Sequence, residues 1–306
     1  MTKDRREHSP PVTADHRRQF EGYRYVYPVI ARRSGGLSLG VNLNPDQRCN
    51  YSCVYCQVDR RAGGGGAGQA DVWTPPPHTV DLNRMARELL DLAHLAASGE
   101  IWSHPRFAPT PQRLRRLNDI AFSGDGEPTC LADFDRAVAI AADVRRQLRL
   151  EPVKLVVITN ATQLDSPQVQ RALPILDANN GEIWAKLDAG TEEHFRAVNR
   201  PAPPVTLASI LAGITNVARG RPIVIQTLLA QLHGQAPADD EIAAYCRNLQ
   251  SILSAGGRIK LVQIHTVARA PAERWVAPLA DGEVDALADL VRRRTGLEVA
   301  AFHGGF

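Results

Sequence analysis

The chain has 306 residues, 44% of them hydrophobic and 23% charged, with a net charge of +3. That is enough to bury a full core, too weakly basic to argue for nucleic acid on charge alone, and without an apolar run long enough to span a bilayer. The charged N-terminal stretch is unlike a signal peptide, so a soluble cytoplasmic protein with no membrane partner is expected.

Residues 1–24 read as a flexible basic tail, carrying Lys3, Arg5, Arg6, Arg17 and Arg18 with Pro10 and Pro11. A solvated tail and a contact for an anionic partner both fit it. Residues 25–306 read as a single domain with an insertion near 60–118. Strand-like runs cover 37–43, 119–123, 154–159, 182–188, 222–228 and 259–267. Helical patterns fall near 81–98, 131–149, 166–176, 205–218, 238–254 and 281–295. Strand then helix, about six times, implies parallel strands with right-handed crossovers. An open doubly wound sheet would fit; a partial (β/α)6 TIM-like barrel, open along one side, is preferred, because polar residues gather at the C-terminal ends of the strands. It carries a short N-terminal extension and a C-terminal helix and strand.

Within the insertion, the glycine-rich run 62–68 reads as a linker. A phosphate-cradling loop would need a following Lys-Ser/Thr pair, which is absent there. Residues 99–118, with Arg113, Arg115 and Arg116, read as irregular.

Of five cysteines, Cys49, Cys53 and Cys56 fall within Cys-Asn-Tyr-Ser-Cys-Val-Tyr-Cys, just after the first strand. This clustering argues against a disulfide framework and for metal in a reducing compartment. Cys130 and Cys246 stand alone and read as small buried thiols. Structural zinc needs a fourth ligand, for which His104 and His265 are the candidates. An iron–sulfur cluster held by three thiolates leaves one iron open.

The later strands end in polar groups. Gly124, Asp125, Gly126 and Glu127 close the second; the glycines suit either a tight turn or a ligand's close approach. Thr159 and Asn160 close the third, fitting a ribose contact or a turn. On the fourth, Lys186 and Asp188 share a face and require each other or a polar ligand. Gln226 lies on the fifth. Gln263 and His265 share a face of the sixth, followed by Arg269. These two are the substrate-facing candidates, with His265 as acid or base or as a hydrogen-bonded core histidine.

The Cys-x3-Cys-x2-Cys spacing with Tyr55 before the last cysteine resembles the radical S-adenosylmethionine (SAM) superfamily. The resemblance implies a [4Fe-4S] cluster on Cys49, Cys53 and Cys56, with SAM chelating the fourth iron and Tyr55 beside the adenine. It implies reductive SAM cleavage to a 5′-deoxyadenosyl radical, hydrogen abstraction from an organic substrate, and an external electron donor such as flavodoxin or ferredoxin. The family's Gly-Gly-Glu element, whose carbonyls receive the SAM amino group, is interrupted here by Asp125. Leu-Gly-Val-Asn-Leu, Phe-Ser-Gly-Asp-Gly-Glu-Pro-Thr, Ile-Thr-Asn-Ala-Thr, Ala-Lys-Leu-Asp-Ala-Gly and Val-Gln-Ile-His-Thr-Val-Ala-Arg-x-Pro-Ala-Glu together resemble the wyosine-base-synthase-related branch. That branch implies a modified tRNA guanosine. No cysteine precedes Cys49 for the branch's second cluster, and no lysine can be assigned a pyruvate Schiff base, Lys186 being only a candidate. The cofactor chemistry therefore leads. A small-molecule or RNA substrate, with tRNA modification, and a non-enzymatic zinc- or cluster-binding interaction protein stand as alternatives.

Overall fold

Strand and helix positions follow the side chains' burial. The computed structural model describes residues 17–58 and 79–304; the glycine-rich run 62–68 and residues 1–16 of the expected tail lie outside these. Eight strands form one sheet in the order β1 (Val26–Ala31), β2 (Gly36–Val41), β3 (Leu117–Phe122), β4 (Lys154–Thr159), β5 (Gly181–Lys186), β6 (Ile223–Leu228), β8 (Ile259–His265) and β10 (Val299–Phe302). All neighbours are parallel except β1 and β2. The remaining strands, β7 (Gln231–Leu232) and β9 (Val276–Ala277), form a separate antiparallel pair.

The sheet curls, and alternation along each strand divides two environments. Outward residues such as Leu155, Val157, Ile183, Ile225 and Val262 join the helices in the main core. Inward Ala121, Val156, Trp184 and Val224 make a small apolar plug inside the curl. The helices are α1 (Leu82–Ser98), α2 (Phe134–Gln147), α3 (Pro167–Asp177), α4 (Glu192–Asn199), α5 (Leu207–Gly220), α6 (Asp239–Ser254) and α7 (Asp281–Thr295). On α2, buried Phe134, Ala137, Val138, Ala141 and Val144 recur at helical spacing. The Asp81 side chain caps α1 through the Arg84 amide, and Thr206 with Ser209 forms a capping box on α5.

Two expectations change. The sheet gains an antiparallel edge, β1, and residues 17–24 are not a free tail. Phe20 is buried against Phe107, and Arg18 pairs with Asp125. The sheet's two edges meet through Arg32, which donates to the carbonyls of His303 and Gly304. No helix among the described residues is long and apolar enough to cross a membrane.

Candidate active site: the barrel interior

The cysteine loop follows the C-terminal end of β2 and is fastened from two sides. Backbone amides of Ser52 and Val54 donate to the carbonyls of Arg200 and Val198 at 3.2 and 2.9 Å, and the Ala202 amide donates to Asn50 O at 2.9 Å. Val54 sits in a small apolar cluster with Val198, Ala230, Val267 and Val276. On the other side, Asn160 Nδ2 donates to Asn50 Oδ1, and Asn50 Nδ2 to Thr162 Oγ1, each at 2.6 Å. The end of α4 and the end of β4 thus fix a loop with no regular structure of its own.

Cys49, Cys53 and Cys56 all line one cavity of about 260 Å³ inside the curled sheet. Among the described residues no three His, Cys, Asp or Glu side chains converge tightly enough for one metal ion. Donors do approach the sulfurs: the Tyr51 amide reaches Cys49 Sγ at 3.5 Å, and Asn199 Nδ2 reaches Cys53 Sγ at 3.7 Å. Burial pushes the Cys53 thiol up to about 11, with Lys186 opposing it. Three thiols on one wall, with amide donors aimed at sulfur, suit a multi-iron cluster in which each thiolate takes its own iron.

Tyr55 lies between the loop and β5. Its hydroxyl donates to Asp188, and Lys186 Nζ stands 4.8 Å from its ring centre. Asp188 is enclosed. It accepts from the Leu228 amide at 2.8 Å and Asn199 Nδ2 at 2.8 Å, with Lys186 Nζ at 3.5 Å. It does not line the cavity; it holds Tyr55, Lys186 and Asn199 in place.

The turn after β3 also has an internal explanation. A Cβ on Gly126 would lie 2.0 Å from the Arg48 carbonyl, and one on Gly124 would lie 2.3 Å from Asn42 Oδ1. The glycines let this turn pack against the approach to the cysteine loop, while both still line the cavity. Asp125 accepts from Arg18 and from Asn42 Nδ2. The Glu127 carboxylate takes four donors: the Thr129 amide and hydroxyl, Thr159 Oγ1 at 2.7 Å and the Asn160 amide at 2.6 Å. Burial nonetheless raises its pKa, against those bonds.

Of the residues singled out in the sequence, Tyr55, Gly124, Asp125, Gly126, Glu127, Asn160 and Lys186 join the cysteines around the cavity. Thr159, Asp188, Gln226, Gln263 and His265 stand behind its wall. Gln226 Nε2 donates to Gln263 Oε1 at 2.9 Å. His265 is held neutral: burial, then Arg33 and Lys186, push its pKa well below the usual imidazole value. Its Nε2 faces Arg33 Nη1 at 3.4 Å. Cys130 is partly buried and Cys246 buried; burial raises both thiols. Arg116 directly precedes β3, so Arg113, Arg115 and Arg116 lie at the opposite end of the parallel strands from the cysteine loop. Arg115 is bonded to the carbonyls of Thr110 and Ala108.

Reasoning from sequence missed Arg18, Arg33, Asn42 and Asn199 at this site. Asn42 carries the one local signal, a buried amide directly after an apolar strand.

No protein-family model matches the chain. It is 24% identical over 259 residues to the UPF0026 protein of Methanocaldococcus jannaschii, covering 82% of this chain and 65% of that one. The chain thus spans just under two thirds of that relative's length. Among solved structures, a radical SAM methyltransferase from Sphaerobacter thermophilus superposes with a TM-score of 0.59 at 13% identity, covering 91% of this chain and 69% of that one. SuiB of Streptococcus suis bound to S-adenosylmethionine superposes with a TM-score of 0.52 at 11% identity, covering 88% and 49%. These likenesses establish the fold as the open partial barrel of radical SAM enzymes.

Proposed function

We propose that the protein is a radical SAM enzyme. The observation that carries this is that Cys49, Cys53 and Cys56 all line one barrel cavity. Those thiolates would hold a [4Fe-4S] cluster through three irons, the remaining iron taking the amino and carboxylate groups of SAM. When bound, cluster and cofactor supply one-electron cleavage of the sulfonium and hydrogen abstraction from an organic substrate, the electron coming from an external donor such as flavodoxin or ferredoxin.

The chain's own residues bind and orient. Asn199 donates toward Cys53 Sγ, and hydrogen bonds to cluster sulfurs stabilise the reduced state and tune its potential. Tyr55, fixed by Asp188, offers an aromatic face beside the cluster loop for the adenine. Gly124 and Gly126 expose backbone that can receive the SAM amino group. Ala121 and Trp184, from the apolar plug, line part of the cavity and keep that stretch of its wall apolar.

Anaerobic reconstitution should load about four irons per chain, and SAM with dithionite should yield 5′-deoxyadenosine. Cys53→Ala should lose both iron and product. A Cys53→Ala protein that still cleaves SAM would end this reading.

A further inference from the structure

Four cationic side chains reach the cavity: Arg18, Arg33, Lys186 and Arg269. Two have carboxylates. Arg18 pairs with Asp125, and Lys186 lies 3.5 Å from Asp188. The other two have neutral partners. Arg33 Nη1 faces His265 Nε2 at 3.4 Å, and Arg269 Nη1 donates to Gln57 Oε1 at 2.9 Å. Among the described residues, neither has a carboxylate at ion-pair distance.

Burial and like charge act on both. Arg33 is pushed down to about 10 by burial and by Arg269 and Arg32; Arg269 is pushed down to about 10 by burial and by Arg18 and Arg32. Both remain charged at neutral pH. Two acids, Asp119 and Asp188, act on Arg33 without pairing with it; Asp119 is bonded by the Ser38 hydroxyl, and Asp188 by Tyr55 and Asn199. The thiols are not among the charges acting most strongly on Arg33. A half-buried guanidinium with no carboxylate in contact is costly, and two that repel each other are more so. Neutral His265 accepts from Arg33 and so steers it without neutralising it.

Position adds to charge. Arg33 comes from the turn after β1, one edge of the sheet, and Arg269 from the chain after β8, beside the other edge strand. The pair therefore approaches the cavity from the two edges of the sheet, which Arg32 bridges.

We infer that Arg33 and Arg269 together receive an anionic group of the substrate, a carboxylate or a phosphate, and hold it in the cavity. Guanidinium forks match both groups in bidentate geometry. The inference deepens the radical SAM reading and rests on it for the use of the cavity.

The test is calorimetric titration of the iron-loaded protein, and of the iron-free protein, with inorganic phosphate and separately with acetate at constant ionic strength. One of the two anions should bind once per chain. Arg33→Gln and Arg269→Gln should each weaken that binding at least tenfold and leave SAM affinity within twofold of wild type. The stronger anion identifies the substrate group. Binding of neither anion, or unchanged binding in folded variants, would overturn the inference. So would a tenfold loss of SAM affinity, since the pair would then serve the SAM carboxylate. Circular dichroism melts check folding; should Arg33→Gln not fold, Arg269→Gln, on a partly exposed loop, decides alone. Anion binding without any iron loading would sink the radical reading and leave the anion receptor standing.

Discussion

Strands β2 to β5 and strands β6 and β8 both direct polar side chains into the barrel, with opposite outcomes. On the first side, Asn160, Lys186 and the turn holding Gly124 to Glu127 reach the cavity shared with the cysteines. On the second, Gln226 and Gln263 bond each other, and His265 faces Arg33 from behind the wall. A polar residue on an interior strand demands a partner. It does not reveal whether that partner is a ligand or the neighbouring strand.

The largest effect should come from Glu127, where the two outcomes coincide. It touches the cavity, but its carboxylate gathers four donors from the turn and from the end of β4. Glu127→Ala strands those donors in a buried site, each costing ~1–3 kcal/mol and not additively, so a loss of at least ~3 kcal/mol is expected. Urea denaturation measures it. Glu127→Gln, which keeps one acceptor oxygen, should lose less. A Glu127→Ala protein of wild-type stability that fails to bind SAM would show the carboxylate to be a ligand contact instead.

Asp119 gives the next effect, with opposite sign. Burial pushes its carboxyl from 3.8 up to about 6, with the Ser38 hydrogen bond opposing. The folded chain thus binds this proton more tightly than the unfolded chain. Stability from this group is greatest below pH 3.8 and falls as pH rises through about 6, by up to ~3 kcal/mol. Asp119→Asn should remove that slope and raise stability at pH 7. Denaturation between pH 4 and 8 tests it, and parallel curves for wild type and variant would refute it.

Most of the parallel core is legible in the sequence. The β-branched run at 154–159 is a strand over those residues, and 281–295 is a helix. Elements that broke a pattern were not legible. Pro28 sits in the middle of β1, which argues against a strand; it is tolerated because β1 is an edge strand with one ladder neighbour. Helix α4 has eight residues, too few to display a period. The cysteines announced themselves by clustering in sequence. Asn199 did not, because its nearness to Cys53, 146 positions away, is created by the fold alone. Arg33 and His265, 232 positions apart, are a similar case.

The finest cut is the Gln226–Gln263 pair, where structure and ligand binding predict different cycles. Both side chains are buried, and Gln226 Nε2 donates to Gln263 Oε1 at 2.9 Å. If each exists for the other, Gln226→Leu strands the Gln263 carbonyl and costs ~1–2 kcal/mol. Replacing both with leucine removes the unmet acceptor with the donor, so the double variant should lose less than the sum of the singles, with ~1 kcal/mol of coupling. SAM cleavage by the double variant should stay within about twofold of wild type, because neither amide lines the cavity. Additive stability losses, or a double variant that folds well and no longer cleaves SAM, would move this pair to the ligand-facing side.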